Sequence, residues 1–501
     1  MAQSSSASSP RLRSRLVRGS AYAFAATVIG QVFALVTSII YARLLGREGL
    51  GIVAIYSQLA SLAVTVAGLE LAAPITKFVA QLRTHDRAKL QKFLSTALSV
   101  SLAATLVVSA AFFLLADALG LQLYGNSELD VMIRIAALFL VLNSLATVGT
   151  AVLQGMQAIG RLSLFGILLE AATIPTMFLC LSAFGLVGAA IGGVLVIVLA
   201  ATALFGSAWR ALRRDGVRLR LGFDRESART LAAYLAPLLA STVVIRFAVL
   251  YQNSFLALSL GYGGAGLFRV ALTISRIAAF VPGSVMVPLF PALSELYATA
   301  PQERTRDHLT RILRVTAYGG APVALAVGFS AGPVIGFLYG EGYVAAAPLA
   351  FVLVLAGFVD MITAIAQSSL LSEGRTGSVL ALDLVQSAVA IATISFFVPA
   401  FGLMGVGYAA VTNSLLYGSA ILLLLGTRDR ICLGRVTTAL VPSACGFAIA
   451  GIAAAWGGAQ ANLWLGGAVI LALIGVSWVL MEPGERQAFR GAAGELLRRG
   501  N

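Results

Sequence analysis

Long apolar runs, broken by short polar turns, recur along the whole chain. A helix that crosses a bilayer needs about 20 such residues. Fourteen stretches meet that requirement: Ala21–Ala42, Gly51–Leu71, Phe93–Ala116, Val131–Leu153, Leu162–Ala183, Leu186–Ala208, Leu231–Ser259, Phe268–Leu289, Ile312–Phe329, Leu349–Leu371, Ser378–Val398, Met404–Leu425, Thr437–Trp456 and Leu463–Leu480. Val131–Leu153 and Leu349–Leu371 carry internal charge, so spacing supports them as much as hydropathy does. Met1–Pro10 is Ser-rich and reads as disordered. The apolar run after Arg18 is too long for a signal-peptide core and reads as a first span. The pattern predicts an all-α, polytopic membrane protein with about 14 transmembrane helices.

Composition sharpens this. The 501 residues are 59% apolar and only 11% charged, against about 45–50% and 25% in soluble chains. A water-soluble globular fold is excluded. Cys180, Cys432 and Cys445 form no close-spaced framework, and with only His85 and His308 no zinc pattern exists.

The net charge of +14 would suggest nucleic acid in a soluble protein. Its distribution says otherwise. With the N-terminus inside and the spans alternating, 29 Lys and Arg fall on the cytoplasmic side and only Arg43 and Arg47 outside. That asymmetry is the positive-inside signature, with both termini cytoplasmic. No nucleic acid partner is expected. The seven arginines between Arg210 and Arg229 read as a membrane-surface loop attractive to anionic lipid headgroups.

Three landmarks repeat in order. A shift of 215 places Leu45-Gly46 and Gly51 on Leu260-Gly261 and Gly266. A shift of 214 places Gly160-Arg161 on Gly374-Arg375, and one of 217 places Phe184-Gly185-Leu186 and Gly188 on Phe401-Gly402-Leu403 and Gly405. These predict two six-helix lobes related by a parallel repeat, plus a C-terminal helix pair, an architecture typical of transporters. The expected divisions are a disordered basic N-terminus (1–19), an N-terminal lobe (20–209), a basic linker (210–230), a C-terminal lobe (231–427), helices 13 and 14 (428–481) and a cytoplasmic tail (482–501).

Ionisable groups inside spans are costly and usually face a cavity or a partner. Eight qualify: Glu70, Arg134, Glu170, Arg246, Arg269, Arg276, Asp360 and Asp383. Arg246 has Asn253 one heptad on, and Arg269, Thr273 and Arg276 form a second polar stripe. The repeat maps Gln31 onto Arg246, Ala54 onto Arg269 and Ser61 onto Arg276, so cationic charge gathers in the second half. Pro282, Pro288 and Pro291 are expected to kink span 8 or end it early. Two readings stand for the arginines: a substrate-facing cationic cavity, or carboxylate pairing for Arg246 and snorkelling for Arg269. Asp360 heads a stripe with Thr363 and Gln367, while Glu170 and Asp383 occupy nearly equivalent repeat positions that suit paired structural roles. Glu70 lies near Pro74 and Lys77, and Arg134 reads as snorkelling. Asp360 first, then Glu70, Glu170 and Asp383, are the groups available for H⁺ or Na⁺ coupling; no other cofactor and no metal site is expected.

No Gly-rich phosphate loop ends in Lys-Ser/Thr, and no long outer loop carries acids or His for general acid–base work. The segments Ala42-Arg43-Leu44-Leu45-Gly46 with Gly49-Leu50-Gly51, Leu153-Gln154-Gly155-Met156-Gln157 with Gly160-Arg161, Phe337-Leu338-Tyr339-Gly340 with Tyr343 and Ala346, and Phe184-Gly185-Leu186-Val187-Gly188-Ala189 carry a resemblance. Together they cover spans 1–12 and resemble the polysaccharide-biosynthesis (Wzx-type) branch of the multidrug/oligosaccharidyl-lipid/polysaccharide exporters. The resemblance implies a non-enzymatic flippase of a bacterial inner membrane. Its cargo would be a polyprenyl-pyrophosphate-linked oligosaccharide for O-antigen, capsule or exopolysaccharide, moved by alternating access. It implies polysaccharide polymerase and glycosyltransferases as partners. Related lipid II flippases carry several arginines in their first two spans, where span 1 here offers Gln31. The rival readings are a lipid II flippase, a cation-coupled multidrug antiporter with an acidic cavity, a membrane-embedded assembly enzyme and a non-transporting scaffold.

Overall fold

A computed structural model describes residues 10–83, 85–299, 301–373, 375–428, 430–456, 459–483 and 485–486. Residues 1–9 of the expected disordered N-terminus, Gly374 of the repeated Gly374-Arg375 landmark and the tail beyond 486 lie outside the described residues. The described chain is helical throughout: α1 Pro10–Gly68, α2 Ala72–Leu82, α3 Arg87–Leu114, α4 Ser127–Gly155, α5 Ile159–Phe184, α6 Gly188–Arg214, α7 Arg225–Thr299, α8 Gln302–Tyr339, α9 Ala347–Ser372, α10 Thr376–Phe401, α11 Leu403–Gly426, α12 Leu433–Trp456 and α13 Ala459–Leu480.

Among the described residues, ten stretches are long and apolar enough to cross a membrane. Three are double: 40 residues over Ile29–Gly68, 56 over Ile159–Arg214 and 39 over Leu239–Ile277. At 1.5 Å per residue each exceeds one hydrocarbon thickness by far. Each is also broken near its middle, at Gly46, at the 3₁₀ turn Gly185–Val187 and at Gly261. Counting these twice and adding the shorter apolar helix Gly466–Leu480 gives the fourteen crossing segments expected. The protein is a multi-pass membrane protein. The early end predicted from Pro282, Pro288 and Pro291 does not occur, for the α7 backbone stays helical to Thr299. Neighbouring groups in a packed bundle can re-satisfy the carbonyls that a proline frees.

The repeat is present in the backbone. Gly46 (φ 69°, ψ −173°) and Gly261 (φ 75°, ψ 169°) break their helices in the same way. Gly185 (φ 58°, ψ −134°) and Gly402 (φ 57°, ψ −135°) close α5 and α10 alike. A side chain at any of these four would meet the left-handed penalty. Helix packing repeats as well: α4 lies on α6 and α3, with α5 on α6, while α9 lies on α11 and α8, with α10 on α11.

By contact, the chain forms two compact units, residues 1–266 and 267–501. This division differs from that of the repeat, because the segment after the basic linker packs with the first unit. Tyr262 donates to the Tyr124 carbonyl, and Tyr124 and Ser254 share a hydrogen bond of 2.5 Å. The core of the first unit gathers Leu71, Ile75, Leu90, Phe93, Val152 and Leu212. That of the second joins α8, α9, α11 and the last helix pair through Leu313, Tyr318, Phe358, Ile421, Phe447 and Leu473.

Within the first unit the two repeated turns at Gly46 and Gly261 meet reciprocally. A Cβ on Gly51 would lie 2.0 Å from the Tyr262 carbonyl oxygen, and one on Gly266 2.1 Å from that of Arg47. Since 47 and 51 map to 262 and 266, the same contact is made twice with the partners exchanged. Both obstacles are backbone, which cannot rotate away. Gly51→Ala and Gly266→Ala are each expected to cost about 1–3 kcal/mol, the range for overpacking. Gly193→Ala, with nothing within 4 Å of its Cβ, is expected to be neutral or stabilising. Thermal melting of the purified protein in detergent distinguishes them, and equal melting of all three would refute the close approach.

Candidate functional site

Polar groups on apolar helices divide into those that satisfy one another and those that do not. The first class centres on α9, α10 and α11. Asp360, Thr363 and Gln367 lie at i, i+3 and i+7 of α9, on one face. From that face the Gln367 amide donates to Asp383 Oδ1 on α10 at 3.2 Å and to the Tyr417 hydroxyl on α11 at 3.0 Å. The Tyr417 hydroxyl donates in turn to the same Asp383 oxygen. Three helices are thus joined by a closed triangle in which each amide hydrogen and the phenol has a partner. Two turns before Gln367, Asp360 accepts from the buried Ser414 hydroxyl of α11 while remaining exposed itself. Thr363 donates to Val359 O of its own helix.

The triangle has a stability consequence. Tyr417→Phe removes a donor to a carboxylate and is expected to lower stability by about 1–2 kcal/mol. Asp383→Leu orphans both Gln367 and Tyr417 and is expected to cost more. In a double-mutant cycle of Tyr417→Phe with Asp383→Asn, melting shifts that add without coupling would refute the bond.

The second class is cationic. Arg246 and Arg276 are exposed and make no ion pair or hydrogen bond among the described residues. Carboxylate pairing, the alternative reading for Arg246, is therefore not seen among the described residues. Arg269 is half-buried and engaged within the structure. Asn253 is buried and donates to Val249 O at 2.8 Å, and Thr273 donates to Arg269 O at 2.9 Å. Both side chains turn back on their own helices, as short polar side chains do when the i−4 carbonyl is in reach. Gln31 is exposed on α1.

The remaining acids separate. Glu170 is exposed without a partner among the described residues, so it does not share the bonded role of Asp383 despite the repeat. Glu70 is half-buried and, with Leu69, sits at positive φ (53° and 48°) between α1 and α2. Arg134 pairs with Asp130 at 3.1 Å and lies over the Phe113 ring. Ser414 and Tyr417 do not stand out in the sequence. Their signal is an i, i+3 pair of polar groups on α11, masked because a tyrosine in an apolar run reads as packing.

Comparison with known proteins completes the picture. The chain is 23% identical over 296 residues to the Lipid III flippase of Escherichia coli (strain K12), covering 58% of this chain and 70% of that protein, and equally to that of Shigella flexneri. Its structure matches that of the lipid II flippase MurJ in an inward closed conformation, with a TM-score of 0.71 at 14% identity over 90% of this chain and 98% of the other. It also matches an inward-facing multidrug resistance MATE family transporter of the MOP superfamily, with a TM-score of 0.68 at 16% identity over 82% and 96%. The signature of the polysaccharide biosynthesis protein family spans residues 16–297, more than half of the chain, and the protein belongs to that family.

Proposed function

We propose that this protein is a flippase that carries a polyprenyl-pyrophosphate-linked oligosaccharide from the inner to the outer leaflet of a bacterial plasma membrane by alternating access. Both termini are cytoplasmic in this reading, and the product feeds a surface polysaccharide such as O-antigen, capsule or exopolysaccharide. The observation that carries it is the pair of guanidinium groups, Arg246 and Arg276, that have no partner among the described residues, on apolar helices of a polysaccharide biosynthesis family member. A cation on such a helix costs about 2.5–3.5 kcal/mol on insertion scales. An anionic cargo that neutralises it gives that cost a use.

Arg269, Asn253, Thr273 and Gln31 are the further groups proposed for cargo binding, with Asn253 and Thr273 acting through backbone that they hold. Outward passage of a pyrophosphate is electrically downhill by about 2.3 kcal/mol per charge per 100 mV in an inside-negative cell. Asp360, Asp383, Glu70 and Glu170 remain the groups proposed for any H⁺ or Na⁺ coupling. A polymerase and glycosyltransferases are the proposed partners, and the chain itself does no catalysis.

Two features support this over a multidrug antiporter. The charged groups without partners among the described residues include two arginines, and the acid Asp383 is already bonded to Gln367 and Tyr417. The test is deletion of the gene followed by analysis of lipid-linked sugars. Accumulation of a complete oligosaccharide on the inner leaflet, with loss of surface polymer, is expected. Unchanged surface polymer and no accumulation would overturn the proposal.

A further inference from the structure

The segment joining α6 to α7 is not a free loop. Gly216 (φ 80°) turns the chain out of α6, and the Asp215 carboxylate is clamped by Arg83 at 2.6 Å. Residues 217–224 then climb along α3. The backbone N–H of Arg218 donates to Gln91 Oε1 (3.1 Å), that of Arg220 to Ser95 Oγ (3.4 Å) and that of Gly222 to Ser99 Oγ (3.0 Å). The acceptors recur every fourth residue on one face of α3, about 12 Å from first to last at the helical rise. Four extended residues cover about 13 Å, so the two spacings match only for an extended strap. Asp224 ends the strap: its N–H donates to Thr96 Oγ1 at 3.0 Å, and its carboxylate caps α7 by accepting from the Ser227 amide and hydroxyl. Those two bonds hold the Asp224 carboxyl below its ordinary range. The cap is therefore complete above the usual carboxylate pKa and is lost only as pH falls through the lowered one.

Three properties of the strap point to one partner. First, alternate N–H groups, those of Arg218, Arg220, Gly222 and Asp224, donate to side chains of α3, a helix apolar and long enough to cross the membrane. Non-helical backbone in or near lipid needs such partners, whereas a loop in water would find them in solvent. Second, alternate residues form an apolar edge. Val217 is buried and Leu219 half-buried against the core, but the edge continues into Leu221 and Phe223, each 72% exposed. Third, all seven arginines from Arg210 to Arg229 are exposed and none has a carboxylate partner among the described residues. The nearby acids are already engaged, Asp215 with Arg83, Asp224 as a cap and Glu226 with Lys89 at 3.5 Å. Trp209, with Arg213 stacked 3.9 Å from its ring, adds an aromatic of the kind found at headgroup level.

We propose that the 217–224 strap is a binding site for anionic phospholipid. Leu221 and Phe223 insert among the acyl chains, and Arg218, Arg220 and Arg225 hold the phosphate headgroups. Nucleic acid is disfavoured as the partner, since the exposed apolar pair would remain in water. The assignment rests on the membrane topology and not on the identity of the cargo.

The test uses the full-length protein in bilayers of phosphatidylcholine and phosphatidylglycerol in equal amounts. Phe223→Trp adds one emitter, read as the difference from the parent protein, whose four tryptophans form the background. Brominating the phosphatidylglycerol is expected to quench this emission at least twofold more than brominating the phosphatidylcholine. Combining Phe223→Trp with Arg218→Gln, Arg220→Gln and Arg225→Gln is expected to abolish that preference while quenching persists. Water-like emission unquenched by either lipid would overturn the insertion, and equal quenching by both in the parent arginine background would overturn the headgroup assignment. If a trace of polyprenyl diphosphate removed the preference, the surface would belong to the cargo and the proposal would fall.

Discussion

Arg246→Ala is expected to abolish surface polysaccharide while leaving the amount and melting temperature of the membrane protein unchanged. The two halves of that expectation come from one observation. Arg246 is exposed and has no carboxylate or hydrogen-bond partner among the described residues. Its removal therefore orphans no buried charge, and stability should move by no more than about 0.5 kcal/mol. If the guanidinium instead served a structural pair, stability would fall together with function. Arg276→Ala is expected to behave in the same way. Arg246→Lys separates two modes of recognition: partial activity means that a positive charge suffices, and none means that bidentate geometry is required. Polysaccharide staining with membrane blotting and thermal melting makes the measurement. Normal polymer in both alanine variants would remove these arginines from the transport path.

Glu485→Ala should have the largest effect on stability, about 3–5 kcal/mol. Arg314 lies on α8 with only 7% of its side chain exposed, and Glu485, 1% exposed, faces it at 2.9 Å just beyond α13. Arg314 also donates to the Leu480 carbonyl at the end of α13. Removing Glu485 leaves a desolvated guanidinium with Glu482, whose 51% exposed side chain lies 3.1 Å away, as its remaining carboxylate. That exposed partner screens poorly from water and compensates little. The double variant Arg314→Leu with Glu485→Leu should melt above either single change, because it removes both charges together. Melting of all three variants in detergent decides the matter. A Glu485→Ala protein as stable as the parent would show that the buried pair does not fasten the last helices to α8.

The crossing segments and the repeat were legible because lipid imposes a long apolar run and because turns need particular residues. Gly46 and Gly261, or Gly185 and Gly402, could be paired in the sequence because few other residues accept their backbone angles. Partner choice was not legible. Glu170 and Asp383 hold nearly the same repeat position, yet one is exposed and the other is bound by Gln367 and Tyr417. Asn253 and Thr273 had suitable spacing for a ligand-facing stripe, and the spacing did not reveal that each also bonds a carbonyl of its own helix. The early end expected from the prolines of span 8 did not occur, for the helix runs on to Thr299.

The sequence by itself determined that the chain is a membrane bundle of fourteen crossings, duplicated in parallel, with its basic groups gathered at one set of helix ends. Such features follow from hydropathy, charge and backbone conformation, all of which act over a few residues. Only the tertiary structure decided which polar groups satisfy one another, as in the Gln367, Asp383 and Tyr417 triangle, and which have no partner among the described residues, as with Arg246 and Arg276. It likewise decided that 217–224 is strapped to α3 instead of lying free in water. Hydrogen bonds and ion pairs act over about 3 Å, and that proximity is set by helix packing between residues far apart in the chain.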